Sequence, residues 1–85
     1  MIDLFPNPAT DKTTVKISGD FNNQEAFVSV TNARGHELSL RKTTLVSGHN
    51  LIDIPVQPGW TPGIYFIKVV VGNNNTSKQL VVRKT

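Results

Sequence analysis

Cysteine is absent from this 85-residue chain, which excludes disulfide staples, thiolate metal sites and thiol nucleophiles together. Apolar runs are short; Val69-Val70-Val71 falls far below the roughly 20 residues that a bilayer-spanning helix needs. No basic segment followed by an apolar one begins at Met1, so no export leader is expected at this end. Charge is thin and scattered, with nine Lys and Arg against six Asp and Glu for a net +3. That distribution offers no basic patch for nucleic acid. Alanine and glutamate, which favour helices, are scarce, and no window sustains a 3.6-residue apolar period. For this length, one domain over residues 1–85 is expected.

What the chain has instead is valine, isoleucine and threonine, punctuated by small clusters of asparagine, glycine, proline and serine. Ile2 to Phe5 reads as a first strand, stopped by Pro6-Asn7-Pro8, where two residues lack a ladder donor. Val15 and Ile17 share a face in Thr13 to Ser18, and a loop is expected over 19–24. Ala26, Val28 and Val30 alternate in the third strand. Asn32-Ala33-Arg34-Gly35 is a turn, with glycine at the left-handed position. The return strand runs from His36 to Leu45, with Leu38 and Leu40 in phase, until Ser47-Gly48-His49 interrupts it. Ile52, Ile54 and Val56 share a face in the next strand, whose Pro55 marks an edge or an exit. After a rigid loop containing Trp60, the stretch Ile64 to Val71 is apolar on both faces, as a central strand would be. A hairpin at Gly72 to Asn75 leads into a last strand from Thr76 to Lys84. Seven strands at this spacing predict an all-β, seven-stranded antiparallel immunoglobulin-like sandwich. A five-stranded oligonucleotide-binding barrel is the alternative.

Chemistry is sparse. The two histidines, His36 and His49, fall beside a turn and in a loop, and nothing places a nucleophile next to either. The carboxylates are spread over separate turns. Asp20 to Glu25 resembles a calcium loop only faintly, lacking its glycine and its bidentate glutamate. Asn74 and Asn75 begin sugar-acceptor triplets, but asparagines also suit a hairpin tip. Trp60 is expected to plug one end of the sandwich; stacking on sugars by Trp60 or Phe66 would mark a carbohydrate-binding or fibronectin-like accessory module instead. No enzymatic activity, metal or cofactor is expected.

An ordered series of motifs carries a resemblance. Leu4-Phe5-Pro6-Asn7-Pro8-Ala9 precedes the Thr13 to Ser18 strand and the Asn32 to Gly35 turn. Gly48-His49-Asn50 with Ile52-Asp53-Ile54 comes next, then Gly63-Ile64-Tyr65, and Lys78-Gln79-Leu80-Val81-Val82 closes the series. In this order the motifs resemble the type A C-terminal sorting domain of type IX secretion substrates in the Bacteroidota, over about residues 4 to 84. The loop Pro55 to Pro62 is longer and richer in proline than the family's usual link into Gly-x-Tyr.

The resemblance implies a module fused behind a cargo domain, the cargo's own N-terminal signal bringing both to the periplasm. The type IX translocon and its shuttle components then recognise the folded module. A sortase-like surface peptidase commonly removes it, leaving the cargo secreted or at the cell surface. On this reading Met1 is an added start, and the chain a tail cut from a larger exported protein. Recognition is expected at the last strand, through Lys78, Leu80, Val81, Val82, Arg83 and Lys84. An edge strand there offers free backbone groups for strand addition. Pro6 and Pro8 are expected to stiffen the junction, Asn7 to cap its turn, and Gly35 and Gly63 to supply backbone freedom. Tyr65 resembles the corner tyrosine of sandwich folds. The exposed edge and the two-faced apolar strand also leave room for self-association of the isolated domain.

Overall fold

The computed structural model describes residues 2–83. Every regular element is a strand: β1 (Ile2–Phe5), β2 (Lys12–Asn32), β3 (Glu37–Pro55), β4 (Gly63–Val71) and β5 (Asn74–Val82). All strand pairings are antiparallel; β2 pairs with β1, β3 and β4, and β4 pairs with β5. The all-β expectation holds, but the described strands number five, not seven.

The difference lies at one corner. Residues 12–19 of β2 pair with β1 and with 48–55 of β3, whereas residues 24–32 pair with 37–45 of β3 and with β4. Between these halves the β2–β3 ladder shifts register twice, at Gly19/Asn22 and Asn22/Gln24. Bulges of this kind bend a strand without ending it. Gly19 and Gly48 pair directly across the bend, with Gly48 at φ 101° and Asn23 at φ 52°, conformations that β-branched residues resist. Side chains fasten the corner. Asn50 accepts from Val46 N at 3.0 Å and donates to the carbonyls of Val46 and Ile17 at 2.9 and 3.2 Å, while Ser47 Oγ donates to Phe21 O at 3.0 Å. The expected loop at 19–24 and break at 47–49 are therefore bends within continuous strands.

The curled sheet encloses a core of alternate residues: Val15 and Ile17, then Ala26, Val28 and Val30 from β2, Leu45, Ile52 and Ile54 from β3, Ile67 and Val69 from β4, and Leu80 and Val82 from β5. Thr13 is buried in phase with Val15 and Ile17. Leu38 and Leu40 share a phase but are exposed; in their strand Leu45 is buried, Ser39 and Thr43 are half-buried, and Arg41 Nη1 donates to Asp53 O at 2.8 Å.

The turns follow their residues. Asn32 Oδ1 accepts from the backbone N–H groups of Arg34 and His36, each at 3.0 Å, and Gly35 takes φ 87°. The last hairpin is tighter than expected. Val71 pairs with Asn74 across Gly72-Asn73, with Gly72 at φ 58°, so β5 starts at Asn74 and not at Thr76.

Candidate functional site: a strap across the last strand

Beyond Phe5 the chain cannot extend the β1–β2 ladder, because Pro6 and Pro8 have no N–H to donate. Hydrogen bonding over this stretch falls to the Asn7 side chain and the Ala9 backbone, and both are directed at β5. Asn7 Nδ2 donates to Gln79 O at 2.9 Å, and Asn7 Oδ1 accepts from Val81 N at 2.9 Å. A donor facing a carbonyl and an acceptor facing an N–H fix which way the amide points. In effect it replaces one peptide unit of a neighbouring strand. Ala9 N then donates to Val81 O and Ala9 O accepts from Arg83 N, each at 2.8 Å, forming a parallel bridge to Val82. From below, Thr13 Oγ1 donates to Pro6 O at 3.0 Å. Ala9 and Thr13 are both wholly buried.

This strap changes the reading of the last strand. Over residues 79–83 the outer edge of β5, expected to be free for strand addition, is occupied by Asn7 and Ala9. Leu80 and Val82 are buried core residues, their side chains turned inward. Val81 is half-buried, and Lys78, Gln79 and Arg83 are exposed. Lys84 lies outside the described residues. Asn7 does not cap its own turn but bonds residues 72 and 74 positions away. Asn7 and Ala9 thus lie along Gln79, Val81 and Arg83, joining motifs that the sequence separates into a junction and an address, while Lys78, opposite Ile67, is in the other phase of β5. Ala9 and Gln79 stand within the first and last motifs of the series but are given no role of their own by the sequence reading, and Thr13 is read only as the start of a strand. Thr13, a polar residue in core phase, carried a further readable signal.

Gly63 and Tyr65 support the far side of β5, opposite Val82 and Leu80. The Tyr65 ring is 4% exposed and stacks on Trp60, with centroids 5.4 Å apart and planes 23° from parallel. The Tyr65 hydroxyl donates to Thr61 O, four residues earlier in the chain. Gly35 sits apart from the strap, in the turn after β2.

Asn7→Ala is expected to destabilise the domain by about 1–2 kcal/mol, the net worth of two partly exposed hydrogen bonds. Asn7→Asp should cost at least as much, since it loses the donor and sets a carboxylate against the Gln79 carbonyl. Amide exchange at Val81 N–H should accelerate in both variants. An unchanged Val81 rate would show that the strap is not held by Asn7.

Elsewhere among the described residues, the polar groups form separate surface pairs. Ser18 Oγ lies 3.0 Å from His49 Nδ1 at the exposed corner, but among the described residues no carboxylate hydrogen-bonds that imidazole. Asp53 accepts from Thr14 Oγ1 at 2.8 Å and pairs with Lys12 at 3.3 Å. The Thr14 hydrogen bond foremost, then Lys12, holds its carboxyl below the usual carboxylate range. Glu25, from the stretch resembling a calcium loop, is paired with Lys42 at 2.7 Å. Two surface notches, of about 360 and 290 Å³, lie between the 32–34 and 61–65 segments and beside Ile2, Phe21 and Val71; neither is lined by histidine.

No curated protein matches the chain. Its structure is similar to that of dimeric latent PorU from Porphyromonas gingivalis, with a TM-score of 0.80 and 18% sequence identity. The likeness covers 99% of this chain and 9% of that one; at this identity it is a likeness of fold. The family profile described as the secretion system C-terminal sorting domain matches residues 3–83. With nearly every residue matched, the chain belongs to the secretion system C-terminal sorting domain family, whose members are the C-terminal signals of type IX secretion.

Proposed function

We propose that residues 1–85 act as one module behind a cargo domain, and that the surface shared by the strap and β5 is what the secretion machinery reads. Asn7 carries this reading: through its two bonds to Gln79 and Val81, the first and last motifs of the chain form a single patch. The exposed side chains of Gln79 and Arg83 next to the strap, with that of Lys78 on the other phase of β5, offer polar and cationic contacts to translocon and shuttle proteins. Leu80 and Val82 contribute indirectly, by anchoring β5 beneath the strap. The curled sheet, folded over at its β2–β3 corner, serves as a variant of the immunoglobulin-like sandwich.

The cargo reaches the periplasm by its own signal, crosses the outer membrane with this module, and is parted from it upstream of β1 by a sortase-like surface peptidase. No turnover by the module itself enters this scheme. A periplasm-targeted reporter fused ahead of Ile2 should appear on the surface of a type IX-competent bacterium. The same fusion lacking residues 78–85 should stay in the periplasm. Equal surface delivery of the two would overturn the proposal.

A further inference from the structure

Gln79 and Val81 turn their main-chain groups away from β4, since Asn7 and Ala9 reach them on that outer side. Such groups alternate from side to side along an antiparallel strand, and the β4–β5 register runs without a shift. Asn75 and Ser77 therefore direct their N–H and C=O groups to the same side as Gln79. The strap covers this edge only from Gln79 onward, and β5 stands last in the strand order. The sheet's other long edge, along β3, is blunted. Pro55 has no N–H to offer, Arg41 occupies the Asp53 carbonyl, and a register shift opposite Val30 and Thr31 leaves Leu38 out of the ladder. Over Asn75 to Gln79 the edge of β5 has neither proline nor bulge.

The side chains here add a second constraint. Thr76 and Lys78 stand in the core phase, opposite the buried Val69 and Ile67, yet both are exposed. The core does not reach under this half of β5. Beside it lies the notch of about 290 Å³. Ile2, Ile17, Phe21, Val69 and Val71 supply its apolar lining, Thr76 borders it from β5, and Asp20 is its charged residue. Lys78 makes no ion pair among the described residues. A regular row of main-chain donors and acceptors is matched by another extended main chain. On such a strand the residue opposite Thr76 points to the notch, and the residue opposite Lys78, two positions away, meets an ammonium group. An apolar side chain suits the first position and a carboxylate the second, with Asp20 disfavouring an acid at the notch. The β5 of a second copy carries no carboxylate over residues 74–82.

We propose that the outer edge of β5 over Asn75 to Gln79 accepts a strand from a protein of the export apparatus, one with an apolar residue and an Asp or Glu two positions apart. The inference rests on the secretion reading and gives it a mode of contact beside the strap, main chain on main chain. In the reporter fusion, Ser77→Pro removes an outward N–H without touching the bonds to β4, a change that an edge strand accommodates. It is expected to lower surface delivery on the order of tenfold or more, while Ser77→Ala, which keeps that N–H, leaves delivery unchanged. Thr76→Tyr, which sets a ring at the notch, and Lys78→Glu, which reverses the charge, should lower it comparably. The purified variants should melt within a few degrees of the parent, so that lost delivery is not lost folding.

Ser77→Pro and Thr76→Tyr fusions delivered as well as the wild type would overturn the strand site and leave the secretion reading standing. Equal losses in Ser77→Ala and Ser77→Pro would also overturn it, by assigning recognition to the serine side chain. A wild-type fusion that is not delivered would remove the secretion reading itself, and this inference with it. Dimerisation of the purified domain that Ser77→Pro abolishes would assign the edge to a second copy, against the partner proposed.

Discussion

Leu80→Ala is expected to lower the folding free energy by about 2–5 kcal/mol, the range for truncating a large aliphatic side chain in a packed core. Leu80 is fully buried, two residues before the end of β5 and opposite Tyr65. A chain of this length has roughly 4–13 kcal/mol of total stability, so one substitution removes a large share of it. The melting temperature should fall by at least roughly 8 °C, given about 4–8 °C per kcal/mol for a domain of this size. Both immediate neighbours of Leu80, Gln79 and Val81, are strap partners. Loosening β5 should therefore release the strap as well, and amide exchange at Val81 and Arg83 should rise together. Val81→Thr, at a half-buried outward position, should leave the melting temperature within a few degrees. If Leu80→Ala melts near the parent, β5 is not anchored as the core implies.

Trp60→Ala is expected to cost about 3–5 kcal/mol. Trp60 is 9% exposed and stacked on Tyr65, and its backbone N–H donates to Gln57 O at 3.0 Å. Without the indole, Tyr65 loses its stacking partner at the end of the core, and the Pro58 to Gly63 loop loses its anchor. Trp60→Phe should recover part of the loss. The same residue separates sorting from glycan binding. A carbohydrate-binding module stacks sugars on an accessible aromatic face, and Trp60 presents its ring to Tyr65 instead. Affinity electrophoresis through polysaccharide gels should show no retardation of the wild type. Retardation that Trp60→Ala removes without lowering the denaturation midpoint would reinstate the accessory-module reading.

Alternation made most of the strands legible in the sequence, because a half-buried strand must place apolar groups at every second residue. Val15 and Ile17, the alternate residues Ala26, Val28 and Val30, and Ile52 with Ile54 all lie in the core as their spacing implies. Pairing that continues through a bend is not written locally. Gly19 to Gln24 has the composition of a loop, and its membership in a 21-residue strand depends on Gly48, opposite Gly19 but distant in sequence. Alternation also fixes phase without choosing a side. Leu38 and Leu40 form a correct stripe that faces outward, since Leu45 occupies the inward phase of the same strand. The strap was least visible. Two prolines announce a turn, but the bonds that define the site join Asn7 to the opposite end of the chain, and no window short enough to read contains both partners.

The bond between Asn7 and Val81 spans 74 residues, and this gives the closure a use beyond holding the fold. A polypeptide whose synthesis stops before Gln79 lacks both main-chain partners of that asparagine and the last two anchors of the core. Such a product carries every earlier motif but cannot latch. Machinery that engages only latched tails would therefore proofread its clients for completeness, rejecting truncated translation products before they occupy an export pore.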